Sequence, residues 1–91
     1  MANFTKIQID IFYKLWRNKK FGKGHMLIDN VVNGFPNNIQ KTVKNELDDL
    51  IRSNYIIKKP SQHGYCVYIN LDNKQKIEKA IKNMYSFYIM F

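Results

Sequence analysis

Cysteine is almost missing from this 91-residue chain. Cys66 stands alone, so no disulfide can form within the chain, and a reducing, cytoplasmic setting is the expectation. With two prolines and four glycines, the sequence has no Pro/Gly/Ser-rich linker, and it shows no internal repeat. No apolar run reaches the roughly 18 residues of a membrane span. The opening Met1-Ala2-Asn3-Phe4-Thr5-Lys6 lacks the charged-then-apolar pattern of a secretory signal. Histidine is scarce too. His25 and His63 have no cysteine, second histidine or carboxylate at ligand spacing, so no metal site is expected. No nucleophile, base and orienting group fall together, so neither an enzyme nor a cofactor is expected. Cys66 lies in a strand pattern and reads as a small core residue.

Acidic residues are few as well: seven Asp and Glu face fifteen Lys and Arg, a net charge of +8. Such an excess attracts polyanions through the summed field, with nucleic acid first and an anionic membrane surface second. Arginine is confined to Arg17 and Arg52. Lysine is a point charge suited to phosphate, whereas arginine reads guanine in bidentate fashion, so the composition favours backbone contact over strict base reading.

What is present is ordinary globular material, 45% hydrophobic and 24% charged, in a length that suits one core. A first helix is expected from about Thr5 to Asn18, with Thr5 and Gln8 as a capping box and Phe4 and Ile9 as a hydrophobic staple. Its stripe is Ile7, Ile11 and Leu15, widened by Phe12 and Trp16. Lys19-Lys20-Phe21-Gly22-Lys23-Gly24 reads as a basic turn. A short helix is expected over 26–32, ended by Asn33-Gly34 in a left-handed cap. A longer one follows from Asn37 to Ser53, capped by Asn37 or Asn38 or else with Pro36 in its first turn, and with Ile39, Val43, Leu47 and Leu50 as its buried stripe. Strands are expected over 55–59 and 65–70, joined by Pro60-Ser61-Gln62-His63-Gly64. A fourth helix begins near Asp72 or Asn73 as cap and carries Ile77, Ala80, Ile81 and Met84.

A short helix, a Gly-containing turn, a longer helix and then a hairpin make an order that resembles the winged helix-turn-helix superfamily over about Thr5 to Asn70. Gly22-Lys23-Gly24-His25, Gly34-Phe35-Pro36 and Lys58-Lys59-Pro60 followed by Gly64 are also similar to small archaeal winged-helix proteins. The resemblance implies an α+β fold, a three-helix core plus a β-hairpin wing, with an added C-terminal helix. It implies double-stranded DNA as partner, in a transcription regulator or nucleoid-associated protein, with the third helix in the major groove. Asn37, Asn38, Lys41, Thr42, Lys44 and Asn45 are then the groove-facing residues, while Glu46, Asp48 and Asp49 come later along the helix, where they would repel phosphate. The wing offers Lys58, Lys59, Ser61, Gln62 and His63, and the basic turn Lys19, Lys20 and Lys23. Two other classes remain open: an RNA-binding winged helix, and a protein-interaction winged helix in a larger complex. No small-molecule effector site is legible.

The residues divide on this reading into a domain over 1–70 and a C-terminal helix with an apolar tail over 71–91. Ile77, Ile81, Met84, Tyr88 and Phe91 recur at steps of four, three, four and three, a coiled-coil seam that would build a homodimer. The alternative is that this segment folds back on the first helix.

Overall fold

The computed structural model describes residues 4–21 and 24–85. Lys23, Tyr88 and Phe91, named above as contact residues, lie outside them. The described residues form an α+β fold of four α-helices and a three-stranded antiparallel sheet.

Helix α1 spans Lys6–Arg17. Its start is the expected capping box: the Gln8 amide donates to Thr5 Oγ1 and the Thr5 amide to Gln8 Oε1, both at 3.1 Å. Phe4 meets Phe12 and Tyr55 edge to face, each at 4.9 Å between centroids, so it closes the helix entrance against ring faces. At the other end Lys19 takes a left-handed φ of 56°, and the Lys20 amide donates back to the Leu15 carbonyl.

The stretch expected as one helix over 26–32 divides in two. Met26–Leu27 is strand β1, paired with Val67 and Cys66, and Ile28–Asn33 is helix α2. Two extended residues cover an edge that the hairpin alone would leave unpaired. Gly34 ends α2 in a right-handed conformation (φ −74°), not the left-handed cap expected. A Cβ there would overlap the Lys14 ammonium, which reaches across to donate to the Asn30 carbonyl at 3.0 Å.

Pro36 is extended, and Asn37–Ile39 form a single 3-10 turn before helix α3, Gln40–Arg52. Neither Asn37 nor Asn38 caps the α-helix. Gln40 donates instead to the Phe35 carbonyl and to Asn37 Oδ1, fixing the entry. Val43, Leu47 and Leu50 are buried as the spacing predicts, with Ile39 and Ile51 half-buried beside them. Asn54, at φ 67°, ends the helix and turns the chain into the sheet.

Strand β2 is Ile56–Ser61 and β3 is Gly64–Ile69. The loop is only Gln62-His63, because β2 continues through Pro60, opposite Tyr65. The sheet order β1-β3-β2 puts β2 on an edge, where the missing proline N–H is tolerated. Gly64 has φ +120°, a conformation that a residue with a side chain adopts only under strain.

A side-chain cap stands two residues before the expected Asp72, at Asn70, and it opens a 3-10 turn that leads into the fourth helix. Asn70 Oδ1 accepts from the Asp72 amide, a 3-10 turn covers Leu71–Asn73, and helix α4 spans Lys74–Tyr85. The Asn70 and Asn73 side chains both donate to the Asn54 carbonyl, tying the start of α4 to the end of α3. Ile77 and Ile81 are fully buried, in one cluster with Ile11, Phe12, Leu15, Val43, Leu47 and Ile69. The core of their own chain thus takes up both side chains, which were expected in a seam between two copies. Tyr85 stacks on Tyr13 of α1 at 4.6 Å, so α4 lies back on the first helix of its own chain. Of the remaining seam residues, Met84 is exposed.

Candidate nucleic-acid interface

The outer face of α3 is built by its own periodicity. With Val43, Leu47 and Leu50 turned to the core, the 3.6-residue repeat leaves Lys41, Thr42, Lys44, Asn45, Asp48 and Asp49 outside, and all six are exposed. Asn37 and Asn38, in the preceding 3-10 turn, are exposed as well. The charge along this face is segregated: two lysines and three asparagines fall within 37–45, and the carboxylates follow. Glu46 is half-buried, and Asp49 takes its positive partner from the same turn, the Arg52 guanidinium. The half of α3 nearest Pro36 is therefore free of carboxylate, and it presents amide donors and acceptors beside ammonium groups.

Lys58, Lys59, Ser61, Gln62 and His63 are all exposed on the hairpin. The register shows what the sequence order hides. Lys58 pairs with Val67 and Lys59 with Cys66, so the two lysines leave opposite faces of the ribbon. Each has an aromatic companion: the Lys58 ammonium lies 4.3 Å from the Tyr65 ring centre, and that of Lys59 5.9 Å from the Tyr68 ring centre. Tyr65 is 54% exposed and so presents a flat apolar face to solvent beside a cation. Tyr65 and Tyr68 meet the lysines in a register set by a two-residue loop, shorter than the five residues that the sequence suggests.

The basic turn does not join this group. The Lys20 carbonyl accepts from the Ile69 amide, and Phe21 bridges to Ile69. Ile69 is the end of β3 remote from the hairpin loop, about 17 Å away along the strand at the usual rise. Lys19 is exposed and Lys20 half-buried there.

Between the start of α2 and the hairpin loop lies an open hollow of about 410 Å³, with His25, Leu27, Asn30, Gln62, His63 and Cys66 on its walls. Both histidines thus reach one hollow although 38 positions separate them. Cys66 is a buried free thiol whose Sγ donates to Ser61 Oγ at 3.3 Å. Among the described residues no group of three or more His, Cys, Asp or Glu is arranged to hold a metal ion. None of the described helices is long and apolar enough to cross a membrane. Comparison with protein-family models, with curated proteins and with solved structures gives no match for this chain.

Proposed function

We propose that the chain is a winged helix-turn-helix domain that binds double-stranded DNA in the cytoplasm, as a transcription regulator or nucleoid-associated protein. Helix α2 and helix α3 form the helix-turn-helix, and the β2–β3 hairpin is the wing. The observation that carries this reading is the outer face of α3, where Asn37, Asn38, Lys41, Thr42, Lys44 and Asn45 are exposed together and every carboxylate of the helix comes after them. A helix docked in the major groove by its first half needs that polarity: amides meet base edges, lysines meet phosphates, and acids stay clear of the backbone. The wing adds Lys58 and Lys59 from its two faces, suited to two different phosphates flanking the groove.

The test is a set of titrations with duplex DNA, duplex RNA and single-stranded DNA at two salt concentrations. Duplex DNA is expected to bind tightest, with an affinity that falls steeply as salt rises. Equal or tighter binding of duplex RNA or of single strands would overturn the assignment of the ligand. No binding to any of them would leave the exposed faces to a protein partner.

A further inference from the structure

The positive charge of this chain is concentrated away from α3 and the hairpin. Residues 28–70, which hold α2, α3 and the sheet's two longer strands, carry five basic and four acidic side chains, a net of +1. Residues 1–27 carry six basic and one acidic, and residues 71–91 four basic and two acidic, so +7 of the +8 lies in these two flanking segments. They are distant in sequence but meet in space, because α4 packs on α1.

At their meeting, cations and rings alternate. The Lys74 ammonium lies 5.7 Å from the ring centres of both Trp16 and Phe21, which meet edge to face. The Arg17 guanidinium lies 5.4 Å from the Tyr13 ring centre, with Tyr85 stacked on that same ring. Lys19 is exposed beside them, its amide donating to the Trp16 carbonyl. Two of the three carboxylates in these segments already face lysines of their own helices, Asp10 with Lys6 and Glu78 with Lys82.

We infer that the α1–α4 face is a second nucleic-acid contact, made to phosphates and indifferent to sequence, so that one protomer holds two duplex segments at once. The inference rests on the duplex-binding reading of α3 and the wing. Lysine predominates here, with Arg17 the one arginine of the two segments, and point charges suit phosphate better than base edges. A bilayer is the poorer match for the same charge. A helix that lies on a membrane inserts an apolar face, and α4 has already turned Ile77 and Ile81 into its own core.

The experiment is a sandwich capture. A biotinylated duplex is fixed to a surface, the full-length chain is loaded, and after washing a fluorescent duplex of unrelated sequence is added at low salt. Arg17→Gln, Lys19→Gln and Lys74→Gln are combined in one variant, all at exposed positions, with circular dichroism to confirm the fold and light scattering to count copies. The wild-type chain is expected to retain the second duplex. The triple variant should hold the first duplex to within about two-fold but capture about ten-fold less of the second. Equal capture of the second duplex by variant and wild type would overturn the proposal, and so would a wild-type chain that holds the first duplex and never the second. If the wild-type chain fails to hold even the first duplex, the duplex-binding reading falls and takes this one with it.

Discussion

Helices α3 and α4 are nearly the same length, and each buries aliphatic residues at helical spacing: Val43, Leu47 and Leu50 at steps of four and three in one, Ile77 and Ile81 at a step of four in the other. Their outer faces differ. That of α3 mixes amides with equal numbers of acids and bases and sorts them along the helix. That of α4 carries lysine at 74, 76, 79 and 82 against Glu78. Buried stripes make both helices part of one core, so the stripes say nothing of function, and the distinction lies wholly in what is left outside. A sorted, balanced face suits reading a surface, and a uniformly basic face suits attraction to one.

The shared core gives the largest expected effect. Ile81→Ala and Leu47→Ala should each destabilise the fold by about 2–5 kcal/mol, because each leaves a cavity lined by neighbours that close only in part. Denaturant unfolding measures both. If Ile81→Ala left stability unchanged while altering the oligomeric state, α4 would be an appendage and the comparison with α3 would break.

A smaller effect separates reading from attraction within α3. Asn38→Ala or Asn45→Ala should reduce discrimination between duplex sequences by about 1–3 kcal/mol at the base concerned, with little change in non-specific affinity. Binding to a panel of duplexes checks this. A uniform loss across the panel would show that the amides hold the backbone and that α3 reads nothing.

The caps sharpen the local account. Thr5→Ala removes a cap that the structure shows in both directions, and about 1 kcal/mol of stability should go with it. Gly64→Ala meets open space, so backbone strain alone remains, about 1 kcal/mol. Met84→Gln, on the exposed side of α4, should change stability by no more than about 0.5 kcal/mol. A larger loss in the last case would mean that Met84 is covered in solution, and with it the expected contact between copies would return.

Much of this fold was legible because its signals are local. The Thr5–Gln8 box, the α3 stripe and the two strands each rest on residues a few positions apart; the box and the buried Val43, Leu47 and Leu50 appear where expected, and the strands appear with β2 running on through Pro60 and Ser61. What went unread depends on distant partners. Met26-Leu27 is strand only because Val67 and Cys66 lie beside it, and two residues carry no periodicity of their own. Gly34 and Asn33 looked like a left-handed cap, while the conformation went to Lys19 and Asn54, and the glycine makes room for a lysine twenty positions earlier. The steps of four and three in α4 fit a partner helix from another copy or from the same chain equally well, and only packing chose α1.

The central claim is that the first half of α3 docks on duplex DNA, and the salt dependence of binding tests it most directly. Duplex DNA is titrated against the wild-type chain and against Lys41→Gln/Lys44→Gln over a range of salt concentrations. For the wild type, log K should fall against log salt with a slope of about −4 to −5, and the double variant should lose about two units of that slope. Affinity that is indifferent to salt, or a double variant whose slope matches the wild type, would contradict the account.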